Sequence, residues 1–271
     1  MARPDPAAAA ATPSFAAERH QQILQLLAER GRVRNTDLAA LLSVTEPTIR
    51  KDIADLARQG RLNRTHGGAI ALRPAFEPDL PARMSTNMEA KLRIAAACLR
   101  LLQPGDAVFL DSGSTVLSIA DAMAQQTRDT PGLWNVNILT NAIAVAVALA
   151  DKPGIRHTVL GGTYRSTGGC FVGPLTIDDL AKFTVNTAFI GVTGLTDQGF
   201  TVADIGEAQV KQAVIERARR VVIPMDHTKI GAADFSLICS LDNVTTVVTD
   251  EPNPYLDALC AEAGVEVIVS E

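Results

Sequence analysis

The chain has 271 residues, of which 47% are hydrophobic, 20% charged and 4% aromatic, a composition that favours a soluble globular protein of one or two domains. It contains no run of about 18 apolar residues, which excludes a helical membrane span. The net charge of -5 is uneven, because residues 1–75 hold 11 Lys and Arg against 7 Asp and Glu (+4), whereas the remainder holds 14 against 23 (-9). A basic end joined to an acidic body is typical of a chain in which one end meets a polyanion.

The four cysteines lie far apart in the sequence and form no C-x-x-C pair. We therefore predict no disulfide framework, no zinc site and no cofactor, and we expect a reducing cytoplasm as the compartment. Residues 1–13, rich in alanine and proline, are predicted to form a disordered tail.

Three short helices are predicted next. Residues 15–28 have helical spacing of apolar side chains and end near a glycine, and Asn35-Thr36 opens a second helix through DLAALL. A third helix follows a tight turn at Ser43-Val44, with the Thr45 hydroxyl as its expected cap and Pro47 in its first turn. Its apolar stripe includes Ile49 and Ile53, which leaves basic side chains exposed.

The sequence RLNRTHGGA then predicts a basic two-stranded hairpin. An amphipathic helix with exposed charge is by itself usually a solvated surface helix, but the order helix, helix, turn, helix, basic hairpin is that of a winged helix-turn-helix. We therefore predict a DNA-binding domain at residues 14–71, in which Thr48 and Lys51 face base edges and the hairpin lies against phosphates. The candidate DNA-binding residues are Arg34, Thr45, Pro47, Thr48, Arg50, Lys51, Arg58, Arg61, Arg64 and His66.

Residues 72–88 contain three prolines with little periodicity and are predicted to be a linker. From residue 89, short apolar strands alternate with helices, which predicts an α/β domain at 89–271 with a mostly parallel sheet covered on both faces. The first of its helices has apolar residues at Leu92, Ala95, Ala96 and Leu99. The predicted strands are 107–110, 137–139, 156–160, 187–190, 220–223, 245–248 and 265–269.

Ligands of open α/β sheets bind beyond the carboxyl ends of the strands, where this chain has several polar tripeptides. The first comprises Asp111, Ser112, Gly113, Ser114 and Thr115, between a strand and a helix. Its glycine, its hydroxyls and the helix N-terminus are the features of an anion-binding site, for which phosphate is the expected anion. A capped turn without a ligand fits the same residues equally well. Further candidates at strand ends are Thr140, Asn141, Gly161, Gly162, Asp226 and the nearby Lys229.

Glu207 and Lys211 lie four residues apart on a predicted helix. The default interpretation of such a pair is a surface ion pair. No combination of Ser, His and Asp, or of Cys and His, is indicated by spacing, so no catalytic residue is predicted.

Taken together, these segments resemble the DeoR-type bacterial transcriptional regulators. The resemblance rests on TIRKDIADL and GRLNRTHGGA in the first domain and on FLDSGST, ILTNA, LGGTYR, FVGP, AFIGVTG, VKQAVIERA and DHTKIG in the second. It implies a winged helix-turn-helix joined to a Rossmann-like domain related to ribose-5-phosphate isomerase and the CoA-transferases. It also implies a homodimer or homotetramer that binds double-stranded operator DNA and responds to a phosphorylated sugar or polyol, with no membrane partner.

Carried over by resemblance, the family's phosphate-binding segment falls on residues 111–115, and its acid and lysine pattern falls on Glu207, Lys211, Asp226 and Lys229. Two positions depart from the family pattern. Thr193 stands where the family commonly has an aspartate, and Gly206 where an acidic residue is frequent.

Three functions are consistent with the sequence. The leading one is a repressor of carbohydrate or polyol genes that a sugar phosphate releases from its operator. The alternative is a sugar-phosphate isomerase-like enzyme fused to a DNA-binding domain, and the third is a regulator without ligand response.

Overall fold

The computed structural model describes residues 15–30, 32–59, 61–65, 67–71, 78–125, 135–152 and 154–271. They fall into two compact units, Met1–Pro74 and Ala75–Glu271. We call these the N-terminal unit and the C-terminal unit. The predicted tail and the candidate residue His66 lie outside the described residues.

The N-terminal unit has the winged helix-turn-helix order that the sequence predicts. A small antiparallel sheet, ordered β1-β3-β2, packs with the helices around a core that includes Ile23, Leu38, Ile53 and Leu56. Burial of each such side chain stabilises the unit by roughly 1.5–3 kcal/mol. The elements are α1 (Phe15–Arg30), β1 (Arg32–Arg34), α2 (Asn35–Leu41), α3 (Glu46–Arg58), β2 (Leu62–Arg64) and β3 (Gly68–Ala71).

The start of α3 differs from the prediction in one respect. Thr45 occupies the N-cap position and Pro47 the first turn, but the Thr45 side chain makes no capping bond to the backbone. Its hydroxyl instead pairs with the Thr48 hydroxyl, with the two oxygens 2.8 Å apart. The predicted side-chain cap is therefore wrong, because another hydroxyl one turn along the helix satisfies Thr45.

The C-terminal unit is built on a seven-stranded parallel sheet, ordered β15-β14-β12-β9-β4-β5-β6. The side chains of β4 alternate between two cores, with Val108 and Leu110 on one face and Phe109 on the other. Both faces are covered by helices, which confirms the predicted fold class. The sheet strands are β4 (Ala107–Leu110), β5 (Val136–Thr140), β6 (Ile155–Val159), β9 (Val185–Phe189), β12 (Ala218–Pro224), β14 (Thr246–Thr249) and β15 (Glu266–Val269).

Helices α5, α6 and α7 contribute to the core on the face of Val108, and α8, α9 and α10 contribute to the core on the opposite face. Their bounds are α5 (Met88–Leu99), α6 (Ser114–Gln125), α7 (Ile143–Ala148), α8 (Pro174–Leu180), α9 (Ile205–Ile215) and α10 (Pro254–Ala263). None of the helices in the described part of the chain is long and apolar enough to cross a membrane.

Several short elements have no counterpart in the sequence prediction. Helix α4 (Leu80–Ser85) lies within the stretch predicted as a linker, where the Asp79 carboxylate caps it by accepting a hydrogen bond of 3.0 Å from the Ala82 amide. A hairpin pairs β7 (Thr163–Arg165) with β8 (Cys170–Val172), and a small antiparallel sheet joins β10 (Gly194–Thr196), β11 (Gly199–Val202) and β13 (Ser236–Cys239). Three of these five strands, β7, β8 and β10, have only three residues, too few to show a hydrophobic period.

Candidate functional site

The carboxyl ends of four neighbouring strands form one polar edge of the sheet. In the order β12-β9-β4-β5, these strands are followed by Asp226, Gly191, Asp111 and Asn141, respectively. The structure therefore brings together three of the predicted strand-end candidates, and we call this region the edge site.

A buried ion pair lies at the centre of the edge site. Asp111 Oδ2 accepts hydrogen bonds from Lys211 Nζ, on α9, and from the Gly191 amide at 2.9 Å. The side chains of Asp111 and Lys211 are only 1% and 2% exposed. Burial lowers the pKa of Lys211, but the carboxylates of Asp111 and Glu207 outweigh it, so the pKa lies above its usual value. The predicted surface ion pair between Glu207 and Lys211 is wrong, since both residues are buried.

The β7–β8 hairpin adds a cation that the sequence prediction missed. Arg165 Nη1 donates to Glu207 Oε1 at 2.7 Å, and Arg165 Nε lies 3.1 Å from Asp204 Oδ2. The Cys170 thiol donates to the same Glu207 oxygen at 3.7 Å. Burial raises the pKa of Cys170 to about 12, so this thiol stays protonated. The only signal for Arg165 in the sequence is its place at the end of LGGTYR.

Asp226 forms a second centre in the edge site. It accepts hydrogen bonds from Asn87 Nδ2 at 3.1 Å and from the amide and hydroxyl of Thr228, and Lys229 Nζ lies 3.8 Å away. Burial opposes ionisation of Asp226, but Lys229 and the hydrogen bonds outweigh it and hold the pKa below its usual value.

Lys91, on α5, is a buried lysine that the sequence prediction also missed. Its ammonium group donates hydrogen bonds to the carbonyl oxygens of Arg83 and Thr86. Burial lowers the pKa of Lys91 to about 8, and the nearby charge of Lys229 adds to this effect. The predicted stripe of α5 was out of phase, since Leu92 is 50% exposed and Lys91 only 3%.

Two polar atoms near the ends of β4 and β5 are unsatisfied, one in the first turn of α6 and one directly after β5. Thr115 Oγ1 and Asn141 Oδ1 are buried and have no hydrogen-bond partner among the described residues. Thr140 Oγ1 accepts from the Ala142 amide at 3.0 Å, and Ser112 Oγ lies 3.5 Å from Asp111 Oδ1. Because buried polar atoms normally have partners, these two oxygens have hydrogen-bonding capacity to spare, as do Thr249 Oγ1 and Ser270 Oγ elsewhere in the C-terminal unit.

The other candidate positions have local roles in packing. The Thr176 hydroxyl donates to the Gly161 carbonyl at 2.8 Å, and a Cβ at Gly162 would lie 2.1 Å from the same hydroxyl. Thr193 Oγ1 donates to the Thr201 carbonyl at 3.0 Å. A Cβ added at Gly206 would lie 3.1 Å from Asp204 Oδ1, so Asp204 already brings a carboxylate to this position.

In the N-terminal unit, β1, α3 and the hairpin after α3 expose basic side chains. These are Arg34 on β1, Lys51 on α3, and Arg61 and Arg64 at β2. Arg50 pairs with Glu46 at 2.7 Å, and Arg58 pairs with Asp55 on the same helix. The arrangement presents cations on one helix and two strands, as a surface for phosphates and base edges requires.

Two family models match these units. Residues 19–75 match the DeoR-like helix-turn-helix domain, and residues 86–251 match the DeoR C terminal sensor domain. The chain belongs to the DeoR family of transcriptional regulators. This confirms the resemblance drawn from the sequence motifs, and the chain is thus a DNA-binding transcriptional regulator.

Two curated relatives are similar over nearly their whole length. The HTH-type transcriptional regulator FruR of Bacillus subtilis is 32% identical over 93% of this chain and 98% of its own. The glycerol-3-phosphate regulon repressor of Escherichia coli is 32% identical over 88% of this chain and 92% of its own. Among solved structures, ribose 5-phosphate isomerase A of Methanocaldococcus jannaschii shares 16% identity with a TM-score of 0.40, over 54% of this chain and 55% of that one.

Proposed function

We propose that this DeoR regulator represses genes of carbohydrate or polyol metabolism and is released from its operator when a phosphorylated sugar or polyol binds the edge site. The observation that supports this proposal best is the buried edge site, in which Asp111 pairs with Lys211 and Asp226 with Lys229 at one edge of the sheet. The name of the E. coli relative, a repressor of a glycerol-3-phosphate regulon, supports the same class of effector.

The edge site has two halves of different charge. The half around Asp111 holds the carboxylates of Asp111, Glu207 and Asp204 against the cations Lys211 and Arg165. Carboxylates that are already held by cations are suitable acceptors for the hydroxyl groups of a sugar or polyol.

The half around Asp226 has the opposite balance. Besides burial, the charges of Lys229 and Arg83 lower the pKa of Lys91 there, and the carboxylate of Asp226 raises it. The N-terminus of α6, with the unsatisfied Thr115 hydroxyl, offers amide groups and a partial positive charge. We assign the phosphate of the effector to the boundary of the two halves, between the predicted loop 111–115 and Lys229.

Effector binding is tested by thermal shift with inorganic phosphate, glycerol 3-phosphate, fructose 1-phosphate and ribose 5-phosphate. A ligand at about 100 times its Kd stabilises the folded state by about 2.7 kcal/mol.

The same sugar phosphates, assayed for turnover, test the alternative that the chain is an enzyme. We propose that the chain is not an enzyme, because Glu207 is held by Arg165, Lys211 and Cys170. Measurable isomerisation that disappears in Asp111→Ala would overturn this.

Anion binding is expected to weaken as the pH rises through about 8. A bound phosphate stabilises the Lys91 ammonium, whose pKa is about 8 in the free chain, so binding above this pH must take up a proton. The affinity should fall by up to about tenfold per pH unit there. Phosphate esters are already dianions above a pKa near 6, so this fall belongs to the protein. Titration calorimetry across pH measures it.

Lys91→Met should bind the anion weakly and lose this pH dependence. Lys152→Met, which removes an exposed lysine, is the matched control and should keep it. If the anion affinity of Lys91→Met still fell in the same way above pH 8, the phosphate would bind elsewhere.

On DNA, Lys51→Ala and Arg64→Ala should each weaken operator binding and lower its salt slope by about one unit per lost phosphate contact. Both side chains are exposed on the surface that we propose for DNA. Binding to an operator selected from random duplexes, measured against salt concentration, checks this. Arg100→Ala, at an exposed position of the C-terminal unit, should leave the slope unchanged. Unchanged salt slopes in both Lys51→Ala and Arg64→Ala would contradict the proposed DNA-binding surface.

Homodimer or homotetramer formation stays a prediction. Exposed apolar side chains of the C-terminal unit, such as Val147 (69%) and Phe235 (77%), are consistent with association.

A further inference from the structure

We propose that residues 79–87, which contain α4 and the turn after it, form a coupling segment that transmits occupancy of the edge site to the N-terminal unit. This inference rests on the proposed effector function and names the residues that regulate it. Arg83 and Asn87 act as positioning residues, because they connect the segment to the groups that hold the effector.

The segment is attached to the edge site at three points. Arg83 Nη2 donates to the Thr167 carbonyl at 3.2 Å, in the turn of the hairpin that carries Arg165. Asn87 Nδ2 donates to Asp226 Oδ1 at 3.1 Å. From the other direction, the Lys91 ammonium donates to the carbonyls of Arg83 and Thr86, near the end of α4.

Helix α4 also packs against α6. Helix α4 has six residues, none of them buried. A helix this short is not stable by itself in water. Leu80 adds a contact with the hairpin, since a Cβ at Gly169 would lie 3.2 Å from its Cδ2. The position of the segment is therefore set by contacts with the edge site, the hairpin and α6.

Asn87 shows this dependence most clearly. It stands at the N-cap position of α5, where an asparagine side chain usually caps the helix, yet its side chain makes no capping bond. The amide donates to Asp226 instead. The backbone of Asn87 is left-handed, with φ of 51° and ψ of 40°, so the residue is held in an unusual conformation at the junction of segment and site.

An anionic effector competes directly for these attachments. Phosphate oxygens beside Lys91 and Lys229 are stronger acceptors for an ammonium group than the two carbonyls. When Lys91 turns to the phosphate, the end of α4 loses two hydrogen bonds, and the contact between Lys229 and Asp226 weakens. The segment precedes the C-terminal unit's first long helix and follows the N-terminal unit in the chain, and we propose that a shift of α4 is passed to that unit through this covalent connection. The effector acts because its affinity differs between the two arrangements.

Two substitutions break the attachments. Asn87→Gly removes no edge-site charge and is the decisive variant, whereas Arg83→Ala also removes a charge of the half around Asp226. Asn87→Gly keeps the left-handed backbone, which glycine adopts readily, and removes only the amide. Arg83→Ala removes the bond to the hairpin turn. Arg100→Ala, an exposed arginine at the end of α5, is the matched control. Melting curves establish that each full-length variant is folded.

For each protein, operator affinity is measured with and without a saturating amount of the probe that binds the wild type, and probe affinity is measured by calorimetry. The wild-type ratio of operator affinities is expected in the range of about 5- to 150-fold. Asn87→Gly and Arg83→Ala should reduce this ratio severalfold more than they reduce probe affinity, whereas Arg100→Ala should keep both. A merely structural role would not separate the two quantities.

The inference would be overturned if both variants kept the wild-type ratio of operator affinities with and without probe. It would also be overturned if the ratio fell only as much as the probe affinity fell. A wild type that binds none of the probes overturns the proposed function itself, a failure seen before any variant is made. Hydrogen exchange of the wild type provides a second measurement, in which the α4 amides should exchange faster with probe bound. Unchanged or slower exchange there contradicts release of the segment.

Discussion

Replacing Lys211 by methionine is expected to lower the free energy of unfolding of the C-terminal unit by about 3–5 kcal/mol. The substitution leaves Asp111 buried without its cation, and removes the neighbour that lies 3.8 Å from Glu207 Oε2. Water cannot replace the ammonium easily, because both partners of the central pair are almost completely buried. Urea unfolding of the full chain, followed by circular dichroism, measures the loss.

Two controls separate the buried charge from the lost side chain. Lys182→Met removes a lysine that is 70% exposed and paired with Asp179 at the surface, and it should not change stability measurably. The double variant Lys211→Met with Asp111→Asn should recover part of the loss, because it no longer leaves a buried carboxylate unpaired. Equal losses in Lys211→Met and Lys182→Met would show that the pair contributes nothing beyond an exposed one.

The parallel sheet could be predicted because its strands are local and apolar. AVFL at Ala107–Leu110 has Val108, Phe109 and Leu110 fully buried, as expected for a strand covered on both faces. The β7–β8 hairpin could not be predicted in the same way. TYR and CFV are three residues each, and their pairing depends on the turn between them and on contact with α9.

The residues of the edge site likewise fall into those that the sequence predicts and those that it does not. Asp111, Asn141 and Asp226 could be placed together, because parallel strands end at the same edge of a sheet. Lys91 and Arg165 come from a helix and a hairpin whose approach depends on tertiary packing. The phase of α5 shows why, since a lysine occupies a buried position while Leu92 is half exposed. A hydrophobic pattern assigns the lysine to the surface, and only its partners Arg83 and Thr86 explain its burial.

Replacing Asp52 by alanine is expected to destabilise the N-terminal unit by about 3 kcal/mol and to abolish operator binding near physiological temperature. The Asp52 carboxylate, 5% exposed, accepts from Arg19 Nε at 2.5 Å and Nη2 at 3.0 Å, and lies 3.1 Å from His20 Nε2. These contacts fix α3 against α1. A unit of about 60 residues has little stability to spare, so the loss is a large fraction of the total.

The pH dependence of this unit follows from the same carboxylate. Burial opposes ionisation of Asp52, but the hydrogen bonds from Arg19 and His20 outweigh it and hold its pKa below the usual value. The stabilisation is therefore present above the ordinary aspartate pKa, near 3.9, and is lost as the pH falls through the lower folded pKa. Acid titration of the wild type should show this loss, and Asp52→Asn should remove that part of the transition.

Asp55→Ala is the matched control, because it removes an aspartate from the same helix whose partner, Arg58, is 79% exposed. Its cost should be at most about 1 kcal/mol. If Asp52 positions α3 and does more than hold the unit folded, Asp52→Asn at low temperature should bind the operator weakly while keeping the salt slope of its binding to random DNA. That slope counts phosphate contacts, which need only an exposed basic surface, whereas base edges require α3 at a fixed angle. Equal losses on operator and random DNA would reduce Asp52 to a stabilising contact.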